Sequence, residues 1–184
     1  MSNWRPDFDP SHLYFVTTTA VRRTHIFQRD VIKRILVDGL YYLYVLRRTE
    51  LYAFVIMPNH IHVIIRCQEN DPLKDVLRDF KANVARLIVW QYQAERNQEV
   101  LDFLRNAVAR TEKQQHKVWE DGYVAKDVFS PDFLLQKMEY IHNNPIQPHW
   151  QLAEHAEDYV WSSARFYLLN EPALIPLSDA RELF

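Results

Sequence analysis

Glycine is nearly missing from this 184-residue chain, which holds only Gly39 and Gly122. Neither a G-x-G-x-x-G dinucleotide fingerprint nor a P-loop can be written with them, so Gly-rich phosphate cradles are excluded. A single cysteine, Cys67, excludes an internal disulfide and any multi-cysteine zinc or iron–sulfur centre. No apolar run is long enough for a transmembrane helix, which needs about 18 residues or more. The opening Met1-Ser2-Asn3-Trp4-Arg5-Pro6 lacks the apolar stretch of a signal peptide. A reducing, cytoplasmic setting is therefore expected. Low polarity is not a feature either: 25% charged and 48% hydrophobic residues are ordinary globular usage, which argues against disorder.

A strong excess of basic charge is also absent, the net charge being −2. The halves differ, however. Residues 1–90 carry 13 Lys/Arg against 9 Asp/Glu, and residues 91–184 carry 9 against 15. A basic surface can thus form locally in the first half, and local potential is what phosphates feel. Charge alone reads first as solvated helix faces.

Leu13 to Thr19 is aromatic and β-branched and reads as a strand. From Asp30, apolar residues at Val31, Ile32, Ile35, Leu36, Leu40 and Leu43 recur every three or four positions, which predicts an amphipathic helix. Leu51–Met57 and His60–Arg66 read as two strands. Pro58-Asn59 joins them into a hairpin, although it is not a favoured hairpin dipeptide. Asp71 is the expected N-cap of a long helix, with Pro72 as its first residue and a stripe at Leu73, Leu77, Phe80, Val84 and Leu87. Residues 94–117 are polar, with a short helical pattern from Val100 to Val108. A last strand is weakly signalled around Val118-Trp119 and Tyr123-Val124. Ser130-Pro131 opens another helix, with Leu134, Met138 and Ile141 as its buried stripe and Pro145 and Pro148 past its end. A further short helix begins near Ser162.

This order is the split βαβ pattern of a ferredoxin-like α+β fold. It predicts an antiparallel sheet with helices on one face and the other face free. Such a fold decides no function by itself.

Two segments carry chemistry. In Pro58-Asn59-His60-Ile61-His62-Val63-Ile64-Ile65, strand alternation puts His60 and His62 on one face. Two adjacent imidazoles are a ready pair of metal ligands, and also a common surface pair. In Lys137-Met138-Glu139-Tyr140-Ile141-His142-Asn143-Asn144-Pro145, Tyr140 and Asn144 share a helical face. That face points away from Leu134, Met138 and Ile141. Tyr140 can supply a phenolic nucleophile and Asn144 a carbonyl oxygen to a metal. Asn144 also reads simply as the helix end, since it precedes a proline.

Together the two segments resemble the HUH single-tyrosine transposases, and more closely the REP-associated tyrosine transposase group. The resemblance rests on His60-Ile61-His62 within "MPNHIHVII" and on Tyr140 to Pro145. It is extended by "LRDFKA" at Leu77–Ala82 and by Trp161-Ser162-Ser163-Ala164-Arg165. Tyr140 lies 78 positions after His62, and the motifs run in the family's order. The resemblance spans about residues 12–168 of what it makes one transposase-like domain over residues 1–184, with 91–117 as a candidate insertion.

The resemblance implies a tyrosine helix laid across the histidine face and a metal-dependent enzyme that nicks single-stranded DNA and transfers the strand. It implies that Tyr140 attacks the scissile phosphorus to leave a 5′-phosphotyrosine, and that His60, His62 and Asn144 hold a divalent metal, Mg or Mn. Hairpin DNA is the implied partner, with a homodimer as a candidate assembly and no membrane. Arg22, Arg23, Arg78, Lys81 and Arg86 are candidate DNA backbone contacts, and Trp119 and Trp150 candidate stacking platforms. Two other readings stand beside this one: a non-catalytic nucleic-acid-binding regulator on the same fold, and a metal hydrolase in which water replaces Tyr140 as nucleophile.

Overall fold

The strand expected at the start of the chain forms as β1 (Leu13–Thr19) and becomes an inner strand of the sheet. The computed structural model describes residues 8–109 and 114–183. The other elements are α1 (Asp30–Val45), β2 (Thr49–Ile56), β3 (His60–Cys67), α2 (Leu73–Ala94), α3 (Gln98–Asn106), β4 (Val124–Val128), α4 (Pro131–Asn143) and α5 (Ala164–Leu169). Within the polar stretch 91–117, residues 110–113 lie outside the described residues.

The four-stranded sheet has the order β2-β3-β1-β4, and every pair is antiparallel. This is the ferredoxin-like arrangement that the element order predicts. Register sets the faces. Thr17 stands opposite His62, Thr19 opposite His60 and Phe15 opposite Ile64. The alternate residues Val16, Thr18, Ile61, Val63 and Ile65 line one buried space with Leu40 and Leu43 of α1 and Leu77 and Phe80 of α2. Those two helices therefore cover the apolar face, and the histidines point to the other.

Gly39 sits in the middle of α1, where glycine ordinarily weakens a helix. A Cβ there would stand 2.6 Å from Val84 Cγ2 and 3.0 Å from Phe80 Cε2. The missing side chain is what lets α2 come this close to α1.

The Pro58-Asn59 turn is held from outside, which explains why a poor hairpin dipeptide suffices. Pro58 O accepts from Phe27 N at 2.9 Å and Asn59 O from Ala20 N at 2.8 Å. Both donors follow β1, so the hairpin tip is tied to the chain beside it.

Three expectations need correction. Asp71 does not cap α2, which starts at Leu73 after Pro72. Its carboxylate instead accepts from Arg48 Nε at 2.5 Å, and a charged acceptor competes well for such a group. The last strand begins at Val124, not Val118, and Trp119 makes only an isolated bridge to Ala20. Gly122 lies between them with φ 72°, a left-handed turn that separates the two segments. β4 is an edge strand, with Ala125 buried and Lys126 exposed, the polar alternation that protects an open edge. Its polar sequence hid it.

The third concerns the sheet face that the element order alone left free, and that the resemblance covers with the tyrosine helix. It carries α4, whose Tyr140 ring meets the rings of Phe15 and His62. Ser130 caps this helix as expected, its hydroxyl accepting from Phe133 N at 3.2 Å, and Leu134, Met138 and Ile141 are buried. The outer edge of β2 is closed by the Trp161–Ser163 segment. Ile56 N donates to Trp161 O and Ser163 N to Phe54 O, both at 2.9 Å.

Candidate active site

β3 fixes the two imidazoles through its pleat. Their ring centroids are 4.6 Å apart. Each ring is held by its Nδ1. Asn59 Nδ2 donates to Arg23 O at 3.1 Å, which turns its Oδ1 toward His60 Nδ1 at 2.6 Å. An amide oxygen only accepts, so His60 Nδ1 donates and Nε2 carries the lone pair. His62 Nδ1 lies 2.7 Å from Thr17 Oγ1, its cross-strand neighbour. Phe15 stacks on the His62 ring at 5.3 Å.

Burial keeps both imidazoles neutral. It lowers His60 to about 4, helped by the charge of Arg23 and by His149. It lowers His62 to about 3, helped by His60 and Lys137. Neutral rings with free Nε2 atoms are the form that ligates metals.

Tyr140 comes from α4, on the far side of the sequence from β3. Its ring stands edge-on to His62 at 5.1 Å and to Phe15 at 6.0 Å. The side chain remains 48% exposed, so a large substrate can reach it. Asn144 follows one turn later with helical φ/ψ of −56° and −47°, and therefore stays on the Tyr140 face. It is buried. Its Oδ1 and the Nε2 of His62 are both buried atoms without a hydrogen-bond partner. An uncompensated buried polar atom costs about 1–3 kcal/mol; the Asn144 oxygen is an acceptor awaiting a partner, and His62 Nε2 is one in the tautomer that donates from Nδ1 to Thr17. Among the described residues no group of three His, Cys, Asp or Glu is placed to hold a metal ion. The expected ligands are a different set, two imidazoles and an amide.

The other candidates separate into near and far. Arg22 and Arg23 follow β1, in successive left-handed conformations with φ of 52° and 53°. Such backbone costs about 1–3 kcal/mol per residue. Both side chains are exposed. Arg23 acts electrostatically on His60, whereas Arg22 is tied to Asn106 O at 3.0 Å. Trp150 lies beside the site, its ring 5.9 Å from His60 and 5.5 Å from His25.

Arg78, Lys81 and Arg86 are on α2, across the sheet from the histidines. Arg78 is paired with Asp75 and Asp79, Arg86 donates to Asn83, and Lys81 Nζ donates to the carbonyls of Glu120 and Gly122. Trp119 is not a surface platform. It is 6% exposed, packs on Phe27 at 4.8 Å, and donates from Nε1 to Lys81 O at 3.1 Å. Core packing claims it.

Sequence reading missed the supports: Asn59, Thr17, Phe15 and Lys137. Lys137 lies three residues before Tyr140, and its ammonium sits over the Tyr140 ring at 5.6 Å and the Phe15 ring at 5.3 Å. Helical spacing could have flagged it. Thr17 and Phe15 become visible only once the β1–β3 register is known.

Known proteins agree with this architecture. Residues 10–144 match the family model described as "Transposase IS200 like". A Haemophilus influenzae protein named "Putative REP-associated tyrosine transposase" is 25% identical over 169 residues, covering 89% of this chain and 85% of that one. A solved structure of a REP-associated tyrosine transposase bound to a REP hairpin superposes with a TM-score of 0.65. It covers 97% of this chain and 93% of its own, at 16% identity, a likeness of fold. The family match spans well over half of the chain, which therefore belongs to the IS200-like transposase family.

Proposed function

We propose that this protein cuts and rejoins single-stranded DNA at hairpins, with Tyr140 as nucleophile and a divalent metal, Mg or Mn, at His60, His62 and Asn144. The observation that carries the reading is the meeting of the Tyr140 and His62 rings at 5.1 Å, with His60 beside His62 at 4.6 Å. Family membership supports DNA as substrate. The hairpin held by the solved relative supports a hairpin here. The three groups meet within one chain, so the reading needs no partner subunit to supply the tyrosine.

The chemistry is covalent catalysis by a phenol. Tyr140 Oη bonds to the scissile phosphorus and the P–O3′ bond breaks. The phenolic proton passes to solvent, which reaches this half-exposed side chain, and the departing 3′ oxygen takes up a proton. The DNA is left as a 5′-phosphotyrosine and a free 3′-OH. Attack by another 3′-OH on the phosphotyrosine rejoins the strand and restores Tyr140.

Two imidazole nitrogens and one amide oxygen suit Mn²⁺, or Mg²⁺ held weakly. His62 Nε2 and Asn144 Oδ1 are buried and unpartnered, and the Asn59 contact leaves His60 Nε2 with its lone pair. Bound there, the ion would polarise phosphoryl oxygens and offset the negative charge that builds during attack. Arg23 lies where it can meet the DNA backbone, and Trp150 where it can stack on an unpaired base.

The test incubates the full chain with Mn²⁺ and hairpin oligonucleotides carrying unpaired tails, then denatures and resolves the products. Wild type is expected to form a covalent protein–DNA adduct, and Tyr140→Phe or added EDTA to abolish it. An adduct that survives Tyr140→Phe contradicts the mechanism. Salt-sensitive binding with no cleavage would favour the non-catalytic regulator, and cleavage without an adduct the hydrolase.

A further inference from the structure

The α4 face that presents Tyr140 continues toward the helix start as an aromatic and basic strip. Phe133, Lys137, Tyr140 and Asn144 follow at intervals of four, three and four and so share one face. Phe129, in the link before α4, stacks on Phe133 with centroids 5.0 Å apart and planes 15° from parallel. It is 78% exposed. A phenylalanine so placed leaves one whole ring face open to water beside a second aromatic ring.

A cation lies on this stack, and a second lies near the first. Lys137 Nζ lies over the Phe133 ring at 5.0 Å as well as over Phe15 and Tyr140. Lys126 on β4 stands opposite Phe15 in register and so points to the same sheet face. It is close enough for its charge to help lower Lys137, although burial is the larger cause. Among the described residues neither lysine has an ion-pair partner. The acids of α4, Asp132 and Glu139, lie off the strip by about a quarter-turn or more. Two ammonium groups without an ion-pair partner, one of them over the Phe133 ring, on a strip that ends at the exposed Phe129 suit a ligand with one anionic group and one flat ring.

We propose that Phe129, Phe133, Lys126 and Lys137 form a subsite for one unpaired nucleotide of the DNA strand that Tyr140 attacks. The base stacks on the open face of Phe129 and extends the Phe129–Phe133 stack. Its phosphate lies between Lys126 and Lys137. The inference rests on the Tyr140 reading, and it adds the direction in which the bound strand leaves the site: along α4 toward its N-terminus.

Stacking on an aromatic tolerates any base, so the probe need not carry the natural sequence. A fluorescein-labelled hairpin with ten-dT tails on both sides is compared with the same hairpin without tails, using the full chain. Phe129→Ala is expected to weaken the tailed probe by roughly tenfold and to leave the untailed probe unchanged. Phe129→Trp is expected to hold or tighten tailed binding. Lys126→Ala is expected to reduce the slope of log affinity against log salt by about 0.7, the value for one single-strand phosphate contact. Phe129 is exposed, so its replacement does not threaten the core.

Tailed binding by Phe129→Ala equal to that of wild type overturns the subsite. So does a dimer that falls to monomers on Phe129→Ala while tailed binding is unchanged, which would make the strip an interface between copies. Adduct formation at saturating DNA separates the two readings. A wild-type adduct together with unchanged tailed binding by Phe129→Ala refutes the subsite and leaves the Tyr140 reading standing.

Discussion

Asn59→Ala is the most telling single change, because it leaves both imidazoles in place and removes what aims one of them. In the native chain Asn59 Oδ1 receives the His60 Nδ1 proton at 2.6 Å, while Asn59 Nδ2 is anchored on Arg23 O at 3.1 Å. Truncation removes both bonds. His60 is then free to place its proton on either nitrogen and to rotate about its side-chain torsions. Partners of this kind typically contribute 10–100-fold in metal affinity or activity, or about 1.4–2.7 kcal/mol. The turn itself is retained, because Asn59 O still accepts from Ala20 N. Thermal stability should therefore fall by about 1–3 kcal/mol, the net value of two ordinary hydrogen bonds, which leaves the chain folded for the titration. Calorimetric titration with Mn²⁺ measures the affinity, and the rate of adduct formation against Mn²⁺ concentration measures its consequence. Asn59→Asp keeps an acceptor and should retain most of the affinity. Wild-type Mn²⁺ affinity in a folded Asn59→Ala protein would refute the assignment of His60 as an oriented ligand.

Other changes test the frame around the site. Trp119→Ala should destabilise the fold by about 3–5 kcal/mol, as expected for a buried indole. Trp119→Phe should cost less and leave DNA binding intact; a DNA-binding defect in a stably folded Trp119→Phe protein would restore Trp119 as a base platform. Gly39→Ala should lower stability by about 1–3 kcal/mol in urea unfolding, since the added methyl meets Val84 at 2.6 Å; a gain would show that helix propensity outweighs the α1–α2 contact. Stability should also fall as pH drops from about 6.5 toward 4. Burial holds His142 at about 4, against 6.5 ordinarily, so the unfolded chain binds the proton first. This group's contribution is complete above pH 6.5, and losing it across that window is worth about 3 kcal/mol. His60 and His62 act in the same direction, so a urea midpoint that stays flat across the window would contradict the burial of these rings.

Much of the fold was legible where periodicity was strong. The α1 stripe, the β2–β3 hairpin and the Ser130 cap all follow from local patterns that tertiary packing reinforces. β4 was not legible, because an edge strand carrying Lys126 and Asp127 has only Ala125 to bury. Trp119 was misread because a tryptophan's type does not reveal whether its ring faces water. The paired histidines and the Tyr140 helix could be read as motifs, but their supports could not. Thr17 and Phe15 reach His62 through strand register, and Asn59 reaches His60 through a turn anchored on a distant carbonyl. The Trp161–Arg165 segment, conspicuous in sequence, is legible only in three dimensions. Ser163 Oγ contacts His142 Nε2 at 2.9 Å and also accepts from Phe54 N at 3.0 Å, tying the tyrosine helix to the edge of β2.

The central claim is that the Tyr140 oxygen becomes bonded to DNA. Its most direct test is mass spectrometry of the peptide recovered after the adduct is digested with protease and nuclease. The account predicts a nucleotide joined through its 5′ phosphate to Tyr140. Attachment at Tyr159, at His60 or at any residue other than Tyr140 would contradict it.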